Sequence, residues 1–186
     1  MYVGGGKLKR FVALLRGINI SGKNKISMAE LKKSFETLGF IDVKTYLNSG
    51  NVIFSSEKDD TNLLTEQIET MIKSQFELDI PVFVISKDEL QTVLNNAPDW
   101  WNSESKEIYD NLIFIMPPAT VEDVFSELGE PNKDFEKVKD YKATVFWSFS
   151  RKDYRKTNWW SKTASANISK KLTIRTANTV KKIAQM

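Results

Sequence analysis

The sequence predicts an α+β protein made of two successive halves, each running β-α-β-β-α-β. Three observations carry that prediction. Short apolar runs alternate with stretches whose apolar residues recur at helical spacing. A Ser or Thr followed three residues later by an acid opens the helical stretches at Ser27/Glu30, Ser86/Glu89 and Thr120/Asp123. The same order of elements returns after residue 110, although the two halves share little sequence.

Each element follows from its own residues. "FVALL" (11–15) reads as a buried strand, since it is short, apolar and followed by Gly17. "SMAELKKSFETLGF" reads as a helix with a capping box at Ser27 and Glu30. Met28, Leu31, Phe35 and Leu38 line one face, and Gly39 supplies a left-handed stop. "VKTYLNSGNVIFSS" reads as a hairpin with Ser49-Gly50 as a two-residue turn. "NLLTEQIETMIKSQF" is a second amphipathic helix carrying Leu64, Ile68, Met71, Ile72 and Phe76, and "PVFVI" (81–85) is a strand beginning at a tolerated proline. A linking helix capped by Ser86 and Glu89 runs to about Asn96 and is followed by the loop "APDWWNSESKE". In the second half "NLIFIM" (111–116) is a strand stopped by two prolines. Thr120 and Asp123 open a helix bearing Val121, Val124, Phe125 and Leu128 that closes at Gly129. "DFEKVKD" and "ATVFWSFS" pair as a hairpin across Tyr141-Lys142. "NWWSKTASANISKK" reads as helical, "LTIR" (172–175) as a strand and "ANTVKKIAQ" as the last helix. The expected architecture is two ferredoxin-like α+β units in tandem, with helices on one face of antiparallel or mixed sheets. The expected boundaries are an extension over 1–9, a first half over 10–86, a linking helix and loop over 87–110, and a second half over 111–186.

Composition narrows the chemistry. A 186-residue chain with 41% apolar and 11% aromatic residues has the profile of a globular protein. No apolar run approaches the roughly 20 residues of a membrane span, and "MYVGGGKLKR" lacks the apolar stretch of a signal peptide, so a cytoplasmic protein without a membrane partner is expected. The chain has no Cys and no His, which removes thiolate nucleophiles, zinc–sulfur sites and the commonest general base. Net charge is +3, unevenly spread. Residues 1–33 carry eight basic and one acidic side chain, and residues 151–186 carry ten and one. The middle carries nine basic and twenty-two acidic. Two basic ends can attract phosphates or nucleic acid, or the acidic middle can fold against them and neutralise the field.

Gly17, Gly22 and Lys23 make G-x-x-x-x-G-K, with Asn24 where a P-loop has Ser or Thr. The helix signal starts at Ser27, four residues late, and none of "VFVIS", "LIFIM" and "VFWSFS" ends in an acid, so a P-loop is not expected. Strand directions suggest another use. In a β-α-β-β unit the first two strands run parallel, so the glycine loop and the hairpin turn share one sheet edge. Arg16, Asn19, Lys23 and Asn24 then lie near Asn48, Ser49 and Asn51, a set of donors and carboxamides able to hold an anion but without a base or nucleophile. Alternatively the asparagines hydrogen-bond loop backbone and Arg16 pairs with a carboxylate. The second half offers a similar edge, with Ser161 and Lys162 (and Thr163) at one helix start and Arg175 and Asn178 (and Thr179) at another. There they are anion ligands or simple caps. Asp59-Asp60 and Glu122-Asp123 read as Mg²⁺ ligands or, more commonly, as helix-dipole partners. Of Trp100-Trp101 and Trp159-Trp160, one of each pair is expected in the core and the other half-exposed, where a ring can stack on a base.

"FVALLRGINISGKNKISMAEL" and "VKTYLNSGNVIFSS" closely resemble the signature of domain-of-unknown-function family 1697, a bacterial family. The carboxy-terminal "TIRTANTVKKI" is a looser match, with Thr176-Ala177 where the family pattern has Asn-Trp. The resemblance implies a fold more than an activity, because the family has no established biochemistry. The expected function is a binding module for a small anionic ligand, phosphate-bearing or nucleotide-like. The alternatives are a nucleic-acid-binding protein using the two basic ends and a Mg²⁺-dependent enzyme acting on a phosphorylated substrate. No catalytic residue, cofactor or metal is assigned, and a monomer or weak homodimer is expected.

Overall fold

The structure, a computed structural model, describes residues 6–186. The extension expected over 1–9 lies largely outside them, and Lys9 already begins the first strand. The first half runs β1 (Lys9–Leu15), α1 (Met28–Thr37), β2 (Ile41–Tyr46), β3 (Asn51–Ser56), α2 (Thr61–Phe76) and β4 (Val82–Ser86). After α3 (Lys87–Asn95) the second half runs β5 (Ile108–Ile115), α4 (Val121–Leu128), β6 (Glu136–Tyr141), β7 (Thr144–Ser150), α5 (Trp159–Ser165), β8 (Leu172–Thr176) and α6 (Ala177–Gln185). Each half forms one four-stranded sheet, ordered β2-β3-β1-β4 and β6-β7-β5-β8, with every pairing antiparallel. The chain divides into two compact units, the described residues up to Gln91 with Ile183–Met186, and Thr92–Lys182.

The capping signals act where the sequence puts them. Ser27 Oγ accepts the Glu30 N–H at 3.3 Å, Ser86 Oγ accepts that of Glu89 at 3.1 Å, and Thr120 and Asp123 complete a reciprocal box. Asp60 caps α2 by accepting the N–H groups of Asn62 and Leu63, while Asp59 pairs with Lys9, so this acid pair serves helix and surface. Among the described residues no group of three or more His, Cys, Asp or Glu is placed to hold a metal ion. No helix among them is long and apolar enough to cross a membrane.

Helices pack on one face of each sheet. In the first, Phe11, Ala13, Leu15, Val52, Phe54, Val82 and Val84 meet Leu31 and Phe35 of α1 and Leu64, Ile68 and Ile72 of α2. Phe54 is the hub, with ring centroids of Phe40, Phe35 and Phe11 at 4.4, 5.5 and 5.7 Å. In the second, Ile113, Ile115, Val145, Trp147 and Phe149 meet Val124 and Leu128 of α4 and Trp159 of α5. The buried indoles keep their polar ends satisfied: Trp147 Nε1 donates to Glu136 and Trp159 Nε1 to the Gly129 carbonyl, each at 2.9 Å. Val12, Leu14, Ile53, Phe83 and Ile85, on the alternate positions, are buried as well, which is why these strands read as unbroken apolar runs.

Two local expectations need correction. The β2–β3 connection is not a two-residue Ser49-Gly50 turn, because Tyr46 pairs with Asn51 and leaves a four-residue loop, Leu47 to Gly50. The helix expected over "NWWSKTASANISKK" is only the seven residues of α5. It is flanked by 3-10 helices over Arg151–Lys156 and Asn167–Lys171. Short 3-10 turns carry no apolar period, so a reading by periodicity passes over them.

Candidate functional site

The glycine loop and the hairpin loop do share one sheet edge. The Leu15 N–H donates to the Gly50 carbonyl at 2.8 Å, and the Arg16 N–H to that of Pro81 at 3.0 Å. The loop climbs through five left-handed residues, Gly17, Asn19, Ser21, Gly22 and Asn24, and closes on itself where Ile20 and Lys23 pair. Such a path leaves part of its backbone without ladder partners, and carboxamides supply them. Asn19 Nδ2 donates to the carbonyls of Ile26 (3.1 Å) and Asn48 (2.8 Å), and its Oδ1 accepts the Ile26 N–H (2.9 Å). Asn24 Nδ2 donates to the Gly17 carbonyl at 2.9 Å. Asn51, fully buried, donates to the Tyr46 carbonyl at 2.7 Å and to Ser49 Oγ at 3.1 Å. Of the seven residues expected here as anion ligands, Asn19, Asn24 and Asn51 thus have carboxamides engaged by the chain itself. Lys23, Asn48 and Ser49 are exposed, and Arg16 is half-buried. No P-loop forms, since the sheet is antiparallel and α1 starts at Met28, five residues past Lys23.

In the second half the strand directions hold, but the residues they bring together differ from those expected. β7 and β8 both run antiparallel to β5 and end at one edge, beside the start of β5. The 3-10 helix over Arg151–Lys156 follows β7 directly and pushes α5 eight residues further along. Lys162 consequently donates Nζ to the Leu128 carbonyl at 3.1 Å, closing the carboxy terminus of α4. Ser161 is exposed, and its carbonyl accepts the Ser165 hydroxyl. Arg175 is buried within β8, where Nη1 donates to Thr173 Oγ1 at 2.9 Å and to the Ile174 carbonyl at 3.0 Å. Burial pushes its guanidinium down to about 10. Asn178, exposed in the first turn of α6, faces a cavity.

That cavity, about 560 Å³, opens at the shared edge. Tyr109 and Asp110 come from β5, Arg151 from just after β7, Thr176 from the end of β8, Asn178 from the first turn of α6, and Asn102 and Lys106 from the loop before β5. The Arg151 guanidinium lies 4.5 Å over the Tyr109 ring, and its backbone N–H donates to the Glu107 carbonyl at 2.8 Å. The wall's two acids have partners. Asp110 accepts hydrogen bonds from the Ser148 hydroxyl and from Ser103 N (3.0 Å) and Oγ (3.2 Å). Glu104 faces Lys181 at 3.7 Å, and Lys181 also donates to Asn102. Exposed cations, a carboxamide and an aromatic ring remain on the wall, which is equipment for holding an anion with a flat substituent. Arg151, Tyr109 and Lys106 were missed in the sequence. Of the three only Arg151 lies in a run that could have signalled it, the basic-aromatic "RKDYRK", which counts in the sequence only as net charge.

Comparison with known proteins agrees with this architecture. A family model described as a protein of unknown function, DUF1697, matches residues 8–146. A solved structure described as conserved bacterial protein SP0830 from Streptococcus pneumoniae superposes with a TM-score of 0.85 at 30% identity, over 96% of this chain and 98% of that one. No curated protein matched the sequence. The chain therefore belongs to the DUF1697 family.

Proposed function

We propose that the protein is a binding module for a small phosphate-bearing, nucleotide-like ligand, seated in the cavity at the edge of the second sheet. The observation that carries this reading is the Arg151 guanidinium held over Tyr109 in the wall of a cavity of about 560 Å³. A guanidinium fixed by stacking presents its donors at set angles, which suits a phosphate better than a mobile ammonium does. Asn178 and Lys106 add donors, and the start of α6 adds the favourable end of a helix dipole. The Tyr109 ring gives a base or another flat group something to lie against.

The test is thermal shift and calorimetry with adenosine monophosphate, adenosine diphosphate and inorganic phosphate. At ten times Kd a ligand adds about 1.4 kcal/mol of stability, which for a chain of this length raises Tm by about 3–6 °C. Arg151→Ala and Asn178→Ala should remove that shift while leaving the unliganded Tm within about 2 °C. No shift with any of the three probes, or the same shift in Arg151→Ala, overturns the reading.

A further inference from the structure

Tyr109 is one end of a larger aromatic cluster on the second half. Trp160 lies 6.5 Å from Tyr109, 5.7 Å from Phe149 and 5.0 Å from Tyr154, centroid to centroid. Successive helical side chains diverge by about 100°, so Trp159 buries completely in the core while Trp160 turns outward. Trp160 remains 41% exposed, among the most exposed of the large apolar side chains. Each end of the row carries a guanidinium. Arg151 stacks on Tyr109 at 4.5 Å, and Arg155 lies 5.4 Å from the Tyr154 ring while its Nε donates to the Tyr154 hydroxyl at 2.8 Å. Residues 151–162 hold five cations (Arg151, Lys152, Arg155, Lys156, Lys162) and one acid, Asp153, which Lys156 already pairs at 3.1 Å.

Trp159 fills the core position, and Trp160 packs on Phe149 yet leaves 41% of its surface in solvent. The cations stack on the flanking rings of Tyr109 and Tyr154, so the patch is basic as well as aromatic, which disfavours an apolar protein partner. Rings for π-faces and guanidinium groups for phosphates are the two elements of single-strand binding. A duplex keeps its bases stacked and cannot use the rings. We propose that the row Tyr109–Trp160–Tyr154, bracketed by Arg151 and Arg155, binds single-stranded nucleic acid, with bases on the rings and phosphates on the cations. The inference rests in part on the cavity reading, because Tyr109 and Arg151 serve both, while Trp160, Tyr154 and Arg155 belong to the row alone.

The test is fluorescence anisotropy of the full chain with labelled (dT)12 and (rU)12, a 12-base-pair duplex, and poly-glutamate as competitor, at 50–200 mM salt. The row predicts single-strand binding with log Kd changing by about 2–3 per decade of salt, from three or four phosphates at about 0.7 each. Trp160→Ala should weaken it roughly 5- to 150-fold. Trp160→Phe should restore most of that loss and Trp160→Leu should not, although leucine refills the apolar contact. Arg155→Gln should lower the salt slope by about 0.7. Neither Trp160→Ala nor Arg155→Gln should alter the adenosine monophosphate shift, so the row and the cavity can fail separately. Absence of single-strand binding at 50 mM salt, equal binding of the duplex, competition by poly-glutamate as strong as by unlabelled (dT)12, or unchanged affinity in Trp160→Ala each overturns the proposal.

Discussion

Asn19 offers the sharpest test of how the amino-terminal motif works. If it is a fastener and not a ligand group, removing its side chain must cost stability in an amount set by its three hydrogen bonds. The two to Ile26 are partly buried and contribute about 1 kcal/mol each, and the one to the Asn48 carbonyl is exposed and contributes about half that. Asn19→Gly keeps the left-handed backbone at φ 53° and loses only the side chain, so it should cost about 2–3 kcal/mol. Asn19→Ala keeps a Cβ in that conformation without the local hydrogen bonds by which Asn tolerates it, and so costs roughly 1–2 kcal/mol more than the glycine variant. At about 2–4 °C per kcal/mol for a chain of this length, Tm should fall by about 5–10 °C for Gly and 8–18 °C for Ala. Scanning calorimetry measures both. Amide exchange supplies a local readout, because the Ile26 N–H is bonded to Asn19 Oδ1 and should exchange far faster in either variant. Adenosine monophosphate binding at the second-half cavity should be unchanged. An Asn19→Ala protein that melts within about 2 °C of wild type and keeps its Ile26 protection would refute the assignment.

Two further outcomes follow from the same edge and the opposite surface. A Cβ on Gly50 would stand 2.8 Å from Leu15 Cβ and 2.9 Å from Ile18 Cδ1, at a φ of +92°. Gly50→Ala should thus cost about 2–4 kcal/mol in urea unfolding, and a loss below about 1 kcal/mol would contradict that packing. The hydrogen bond from Lys9, and then its charge, hold the Asp59 carboxyl below its ordinary value. A depressed carboxyl pKa means that the pair's contribution is present above the unfolded-state value and is lost as pH falls through the folded one. Lys9→Gln should move the Asp59 midpoint in an NMR titration upward, by less at 1 M salt than at low salt. An unmoved midpoint would exclude the pairing in solution.

The order of elements was legible because each carries its own local signal, a cap, a period or a glycine stop, and these agree with one another. The hairpin loop was misjudged because Gly50 is required by Leu15 and Ile18, residues distant in sequence, and not by a two-residue turn. The candidate site was half legible. Strand directions alone identified both sheet edges, and Asn178 does face the cavity at the second. What reaches that edge beside it depends on a 3-10 helix without periodicity, so Arg151 stands there while Lys162 closes another helix. Nor does a sequence distinguish a carboxamide facing a ligand from one facing its own backbone. That choice follows from the left-handed residues at 17, 19, 21, 22 and 24, of which only the two glycines announce themselves.

The strand order also has a consequence for the chain as it leaves the ribosome. In each sheet the interior strand that pairs with the final strand is the first one made. β1 waits for β4 and β5 waits for β8, an interval of about sixty to seventy residues in each case. At a synthesis rate of about 5–20 residues per second, each interior strand spends roughly 3–15 s with one row of backbone donors and acceptors unpaired. "FVALL" and "NLIFI" are apolar segments of the kind that recruits a neighbouring chain through an open edge. The nascent polypeptide is therefore most exposed to association with its neighbours twice, once per half, and each window closes only when the last strand of that half emerges.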